Sequence, residues 1–121
     1  MAEIKFEELQ EGVKAKCFTL IDLRKPEELA ETGKLPGAHC LPVQELEEAL
    51  SLDGEAFRHK YGFTKPAASG DAKPLVWYCR SGRRVGVAQE TLARLGYTGH
   101  RLYFGSFQDW SSNGGPVDKC C

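Results

Sequence analysis

The chain has 121 residues, 41% of them hydrophobic, which is enough for one compact domain with its own core. Sixteen basic residues against seventeen acidic ones leave a net charge of -1, so the chain as a whole carries no excess charge that would attract nucleic acid or an acidic membrane. It has no apolar run long enough to cross a bilayer, and its start lacks a secretory signal pattern. We therefore expect a cytoplasmic protein, with a mitochondrial location as the alternative.

Helical and strand-like patterns alternate along the first half of the chain. Pro26 is well tolerated in the first turn of a helix, and Asp53 is a favourable N-cap, so each marks a helix start. The predicted elements are, in order, a helix over residues 6–10, a strand over 17–22, a helix over 26–31, a short strand over 38–41, a helix over 43–50 and a helix that ends at Tyr61.

The alternation continues after a linker over residues 64–74. The predicted elements are a strand over Leu75–Tyr78, a helix from Val85 with a stop at Gly96, a strand over 100–104 and a short helix over 105–110. Strands separated by helices indicate an α/β fold with a mostly parallel sheet and helices on both faces. Ligands bind such sheets beyond the carboxyl ends of the strands, where Asp22 and Cys79 lie. We expect one domain over 1–115 and a short flexible tail over 116–121.

The loop over residues 79–84 reads Cys-Arg-Ser-Gly-Arg-Arg and carries the most informative chemistry. Backbone N–H groups at a helix start and nearby arginines favour the thiolate form of Cys79 and attract anions. Gly82 allows the loop to turn its N–H groups inward, and Ser81 adds a hydroxyl. We therefore predict that Cys79 is a nucleophile and that its substrate carries negative charge. The alternative is a buried core thiol at the end of a strand.

The other cysteines and the three histidines point to no metal site. Five cysteines without a C-x-x-C pair indicate reduced thiols. Cys17 and Cys40 are predicted to pack in the core or at its edge, whereas Cys120 and Cys121 are either a nonfunctional terminus or a resolving thiol pair. The remaining residues that we assign to packing or to the surface are His39, His59, His100, Trp77, Tyr78 and Trp110.

Four motifs in order resemble the rhodanese (thiosulfate sulfurtransferase) homology domain in its single-domain form, over residues 18–110. They are Asp22-Leu23-Arg24, the loop Lys34-Leu35-Pro36-Gly37-Ala38, the loop over 79–84 and the closing motif over 105–110. The chain departs from the family where Gly33-Lys34 stands in place of Gly-His, and the preceding segment is one residue longer. Both departures affect a structural loop and leave the cysteine loop unchanged.

The resemblance implies a two-step sulfur transfer. The Cys79 thiolate would take the outer sulfur of thiosulfate, release sulfite and pass the sulfur from a persulfide to a second thiol or to cyanide. Arg80 and Arg83 would hold the sulfonate, and Arg84 would brace the loop. Glutathione or thioredoxin is the expected acceptor, and no cofactor is expected. The sequence contains no pattern that indicates an oligomeric state.

Two residues of the first motif receive roles from the same resemblance. Asp22 is expected to pair with one of the loop arginines and orient it. Arg24 is expected either to contact substrate or to pair with Glu28, four residues along the chain.

Two rival functions stay open on this fold. Cysteine phosphatases and arsenate reductases place an arginine six residues after the cysteine, whereas Arg84 stands five residues after Cys79, which favours a sulfane sulfur. The second rival is a regulatory or persulfide-sensing module that has kept the fold without turnover. The intact loop favours the enzyme.

Overall fold

The computed structural model describes residues 2–68 and 73–119, which form an α/β fold around one parallel sheet. The sheet order is β1-β5-β4-β2-β3, and every pairing is parallel. The strands are β1 Ala2–Glu3, β2 Thr19–Asp22, β3 His39–Cys40, β4 Leu75–Tyr78 and β5 Arg101–Leu102. β4 lies in the middle, and all four of its residues are buried, as its continuous apolar run predicts.

Helices connect the strands and begin where the sequence carries start signals. They are α1 Phe6–Lys14, α2 Pro26–Thr32, α3 Leu46–Ser51 preceded by a 3-10 turn over Val43–Glu45, α4 Gly54–Tyr61, α5 Arg83–Arg94 and α6 Ser106–Ser112. Asp53 caps α4 as predicted, since its Oδ1 accepts the N–H of Ala56 at 2.7 Å. α4 ends at Gly62 in the left-handed conformation.

The core lies on both faces of the sheet. On one face Trp77 packs with residues of α3, α4 and α5, and on the other Tyr78 packs with residues of α1 and α6. Neighbouring residues of β4 therefore serve opposite cores, because side chains alternate along a strand. The predicted mostly parallel sheet with helices on both faces is confirmed, and so is the packing role of Trp77, Tyr78 and Trp110.

The amino-terminal region differs most from the sequence prediction. The first helix continues to Lys14, four residues beyond the predicted end. Lys16 then takes a φ of +56°, and β2 starts only at Thr19. Cys17 lies in this turn and is exposed, so the prediction that it packs in the core or at its edge is wrong. Cys40 is partly buried at the end of β3, in agreement with edge packing.

The chain after residue 115 is held against the domain as far as it is described. The indole Nε1 of Trp110 donates to the carbonyl oxygen of Pro116 at 2.7 Å, and Asp118 forms an antiparallel bridge with Lys34. Its carboxylate also accepts the N–H of Gly37 at 2.9 Å. Residues 116–118 therefore contact the loop over 33–37 and Trp110, and the flexible tail over 116–121 stays a prediction. Cys120 and Cys121 lie outside the described residues.

One further property concerns membranes. Within residues 2–68 and 73–119, none of the helices is both long and apolar enough to cross a bilayer.

Candidate active site

Cys79 follows the central strand β4 at the carboxyl edge of the sheet. Its side chain is nearly enclosed, with 1% of the residue exposed. The backbone N–H of Gly82 donates to its Sγ at 3.1 Å. Gly82 is the N-cap of α5, so the sulfur sits at the positive end of a twelve-residue helix. This arrangement stabilises negative charge on the sulfur.

Ser106 contacts Cys79 from the neighbouring strand end, and the sequence analysis missed it. Its Oγ accepts the backbone N–H of Cys79 at 3.1 Å and lies 3.6 Å from the cysteine Sγ. The same hydroxyl donates to the carbonyl oxygen of Tyr103 at 2.9 Å. The feature of the sequence that could have indicated Ser106 is a small polar residue directly after Gly105, just beyond the strand predicted over residues 100–104.

The first turn of α6 holds the main chain of the cysteine loop. Its N–H groups have no partner within their own helix. The N–H of Phe107 donates to the carbonyl oxygen of Cys79 at 2.9 Å, and the N–H of Gln108 donates to that of Arg80 at 2.9 Å. Two elements, α5 and α6, therefore begin at the cysteine loop and fix it from two sides.

Arg80 and Arg83 are exposed, as is Ser81 between them. Within residues 2–68 and 73–119, neither guanidinium has a hydrogen-bond or ion-pair partner. Each offers a planar set of donors to an anion at the loop. The structure thus brings five of the predicted site residues, 79–83, together in one turn, with two guanidinium groups open to solvent.

Arg84 binds Glu28 of α2. Its two terminal nitrogens donate to the two carboxylate oxygens at 2.8 and 2.9 Å. These bonds lower the pKa of Glu28 to about 2, against a smaller opposing effect of burial. The same bonds raise the pKa of Arg84 against a smaller opposing effect of burial, and the negative charge of Glu28 adds to that increase. The pair ties α5 to α2, which fits the bracing role expected for Arg84.

Asp22 and Arg24 pair with each other, contrary to both sequence expectations. Arg24 Nε donates to Asp22 Oδ1 at 3.0 Å and Nη2 donates to Oδ2 at 2.8 Å, and both side chains are fully buried. The expected pairing of Asp22 with a loop arginine is therefore wrong, and so is that of Arg24 with Glu28. The two residues pair because they are only two positions apart and the turn after β2 brings their side chains together.

The surroundings of Arg24 give it a scaffolding position. Its remaining donors bind the carbonyl oxygen of Gly33 and the hydroxyl of Thr32, each at 2.8 Å. Its guanidinium carbon lies 4.5 Å from the centre of the Phe107 ring, in the first turn of α6. With no exposed surface, this guanidinium cannot meet a solute unless the structure opens, so the predicted substrate contact finds no support.

The histidines lie apart from the cysteine loop. His100 is buried, and its Nδ1 accepts the indole N–H of Trp77 at 2.8 Å. His39 is half-buried and stacks on Phe63, and burial, followed by the charge of Lys34, lowers its pKa. His59 is exposed. The predicted structural or surface placement of all three is confirmed.

Clefts also lie at the opposite edge of the sheet from Cys79. One of them includes Thr19 and Leu75, the first residues of β2 and β4, together with Arg58 and Lys73. Because the amino ends of parallel strands share one edge, this cleft is separated from the cysteine loop by the length of β4, four residues or about 13 Å.

The fold and the loop together define an α/β protein with a buried cysteine held at a cationic helix start. A family model described as the rhodanese-like domain matches residues 5–113, so the chain belongs to the rhodanese-like family. The resemblance noted in the sequence is thereby confirmed.

Similar proteins agree with this assignment. A human thiosulfate:glutathione sulfurtransferase is 41% identical over 91 residues, which are 75% of this chain and 76% of the relative. A Drosophila melanogaster protein, rhodanese domain-containing protein CG4456, is 42% identical over 79% of this chain and 84% of its own length. The solved structure of the human single-domain sulfurtransferase TSTD1 superposes with a TM-score of 0.83, at 34% identity over 95% of this chain and 99% of that one. These relatives support a sulfurtransferase.

Proposed function

We propose that the protein moves the outer sulfur of thiosulfate through a persulfide on Cys79 to a thiol acceptor, with glutathione as the preferred one. The observation that carries this proposal is the cysteine loop itself. A thiol that accepts the N–H of Gly82 at 3.1 Å shares a six-residue loop with two exposed guanidinium groups, those of Arg80 and Arg83, which have no partners in the described chain. Such a site suits a nucleophile whose substrate bears an oxyanion.

In the first half-reaction the Cys79 thiolate attacks the outer sulfur of thiosulfate. The new bond joins Sγ to that sulfur, and the sulfur–sulfur bond of thiosulfate breaks with its electron pair leaving on sulfite. Arg80 and Arg83 hold the sulfonate oxygens during the attack. The N–H of Gly82 and the start of α5 stabilise the negative charge before and after the transfer.

In the second half-reaction an acceptor thiolate attacks the terminal sulfur of the persulfide. The bond between that sulfur and Sγ breaks, and its electron pair returns to Cys79 as thiolate. Glutathione is proposed because relatives from human and Saccharomyces cerevisiae are named thiosulfate:glutathione sulfurtransferases, at 41% and 38% identity. Its carboxylates also match the charge of Arg80 and Arg83. Thioredoxin and cyanide are the acceptors to compare with it.

One observation favours the second candidate, a persulfide-sensing or regulatory module. Cys79 is only 1% exposed, so a donor reaches its sulfur only along the loop side or after a local movement. A module of this kind would acquire sulfur slowly and release it slowly. For the phosphatase rival, a solved structure titled a possible tyrosine phosphatase, from Rhodopseudomonas palustris, is 22% identical to this chain and shows the shared fold alone.

The test is an intact-mass measurement after incubation with thiosulfate and no other reductant. We expect the mass of one sulfur atom to be added to the wild type and to Cys17→Ser, which lacks an exposed thiol, and nothing to be added to Cys79→Ser. Sulfite should appear in equal amount, and glutathione should remove the sulfur. A wild type that gains no sulfur contradicts the proposal, whereas a slowly formed persulfide that no acceptor discharges favours the sensing module.

The cellular location stays a prediction. We propose the cytoplasm, as expected from the sequence. A Schizosaccharomyces pombe relative, 42% identical over 79% of this chain, is named a putative mitochondrial thiosulfate sulfurtransferase, which keeps the mitochondrion as the location to compare. Fluorescent tagging at the carboxyl end in cells distinguishes the two.

A further inference from the structure

Ser106 occupies a backbone conformation that residues with a side chain rarely adopt. Its φ is +61°, in the left-handed region that glycine enters freely and serine does not. It is completely buried at the start of α6. A glycine at this position would give the same turn without strain, so the hydroxyl is what distinguishes serine here.

The Ser106 hydroxyl has three polar neighbours: the N–H of Cys79, the Sγ of Cys79 and the carbonyl oxygen of Tyr103. Oγ accepts the N–H of Cys79 at 3.1 Å and donates to the carbonyl oxygen of Tyr103 at 2.9 Å. The distance of 3.6 Å between Oγ and Sγ is within reach of a hydrogen bond in which either atom is the donor. A hydroxyl hydrogen rotates freely about its C–O bond, so it can serve either neighbour.

The two ionisation states of the sulfur make different demands on this hydroxyl. A neutral thiol can donate its hydrogen to Oγ, while the Ser106 hydroxyl continues to donate its own hydrogen bond to the carbonyl oxygen of Tyr103. A thiolate has no hydrogen and accepts only, so Oγ can then turn its own hydrogen to Sγ. In both states the N–H of Cys79 remains bonded to Oγ, because acceptance uses a separate lone pair.

We propose that Ser106 is a positioning residue for the nucleophile: its hydroxyl fixes the main chain of Cys79 and turns its hydrogen from the Tyr103 carbonyl oxygen to Sγ when the sulfur ionises. The role rests on the function proposed above, since it concerns the same sulfur. This role is separate from that of the Gly82 N–H, which reaches the same sulfur from the loop that follows Cys79, whereas Ser106 lies at the start of α6.

The experiment compares Ser106→Gly with Ser106→Ala, because both remove the hydroxyl but only the alanine keeps the strained backbone. Ser111→Ala, on the exposed end of the same helix, is the matched control. The first readout is hydrogen exchange of the Cys79 amide, followed by NMR. We expect exchange about tenfold faster in both Ser106 variants, because a buried N–H loses its acceptor, and no change in Ser111→Ala.

The second readout is persulfide formation from thiosulfate. We expect both Ser106 variants to form the persulfide about tenfold more slowly at saturating thiosulfate, with the KM for thiosulfate within roughly twofold of wild type. A loss confined to Ser106→Ala overturns the proposal, because it would assign the effect to backbone strain. An unchanged Cys79 amide in both variants also overturns it.

The two readouts separate this proposal from the proposed function. If the wild type forms no persulfide, the sulfur-transfer proposal fails, yet the amide exchange still decides whether Ser106 fixes Cys79. If the wild type forms persulfide and both variants do so at the full rate, sulfur transfer stands and the positioning role fails.

Discussion

At Gly82 the main chain turns with a φ of +98°, and a Cβ built on this residue would lie 2.3 Å from the carbonyl oxygen of Phe104. Both the backbone conformation and the space therefore exclude a side chain. The carbonyl belongs to the segment between β5 and α6, so the clash cannot be relieved by rotating a flexible side chain. The N–H that faces Cys79 Sγ is that of the same residue.

We expect Gly82→Ala to displace this N–H from the sulfur and to lower the free energy of unfolding by about 1–3 kcal/mol, because strain and a close contact act together. Its rate of persulfide formation should fall with it. Gly86→Ala is the control, since the next glycine along α5 has no atom within 4 Å of a built Cβ. That substitution should raise stability by about 0.5–1 kcal/mol through helix propensity. Urea denaturation measures both, and equal stability of the two variants contradicts the account of Gly82.

At the scale of elements, the pair Glu28–Arg84 joins α2 to the helix that begins at the cysteine loop. Glu28 has 27% of its side chain exposed, and its Oε2 also accepts the N–H of Lys25 at 3.0 Å, at the start of α2. One carboxylate thus closes the first turn of its own helix and holds Arg84. The bond geometry is bidentate, which favours a defined position over a loose ion pair.

The lowered pKa of Glu28 has a direct consequence for stability against pH. The folded-state pKa is about 2, below the value near 4.5 of an unperturbed glutamate, so the unfolded state binds more protons between these values. The stabilisation is therefore complete above about pH 4.5 and is lost as the pH falls toward 2. We expect Glu28→Gln to cost on the order of 1 kcal/mol at pH 7, reduced by solvent screening, and to flatten the acid limb of the stability curve.

Glu47 offers the matched control for that measurement. It forms a similar bidentate pair with Arg94, but both side chains are more than half exposed. The pairing with Arg94 also lowers the pKa of Glu47, but solvent screens this exposed pair, so Glu47→Gln should change the thermal midpoint and its pH dependence much less than Glu28→Gln does. Thermal unfolding monitored by circular dichroism between pH 2 and 7 compares the three proteins, and an acid limb in Glu28→Gln identical to wild type would rule out the assignment.

The elements that sequence predicts well are those whose pattern and end signal are both local. β4 is a run of four apolar residues, and α4 has a capping aspartate and a terminal glycine, so neither depends on distant partners. β1 is different, because its two residues become a strand only by pairing with β5 near the other end of the chain. The contacts of Asp118 with the loop over 33–37 could not be predicted for the same reason, because the two segments are far apart in the sequence.

The site divides along the same line. The loop over 79–84 was predictable because cysteine, glycine and arginines lie together in the sequence. The partner of Arg84 was not, since Glu28 meets Arg84 only after α2 and α5 have packed on the sheet. Ser106 was missed because its approach to Cys79 follows from the neighbouring positions of β4 and β5, which no local pattern encodes.

At the scale of the whole molecule, charge is nearly balanced while the cysteine loop is locally cationic. The net charge is -1, and several arginines elsewhere, such as Arg94 and Arg101, are neutralised by glutamates. Arg80 and Arg83 keep their charge open at the loop. Long-range attraction of anions is therefore weak, and selection by charge acts within about a Debye length of Cys79, roughly 8 Å at physiological salt.

This local charge predicts an order among acceptors in the second half-reaction. With preformed persulfide, the anionic thiol 3-mercaptopropionate should react faster than neutral 2-mercaptoethanol, and cationic cysteamine should react most slowly. Each rate is first divided by the rate of the same thiol with a small-molecule persulfide, which removes differences in intrinsic reactivity. In water a pair of unit charges about 10 Å apart interacts by about 0.4 kcal/mol. The anion gains this energy and the cation loses it at each of two arginines, so the difference between them is roughly 1.6 kcal/mol, a spread of about tenfold that should shrink as salt is raised. Arg80→Gln and Arg83→Gln should each reduce this spread of rates, whereas Arg58→Gln, the same charge change at the opposite edge of the sheet, should not.

The measurement is the rate of persulfide loss, followed by stopped flow in the wild type and the three variants. A spread that is the same in all four proteins would mean that the loop arginines bind thiosulfate alone and that the acceptor is selected by shape.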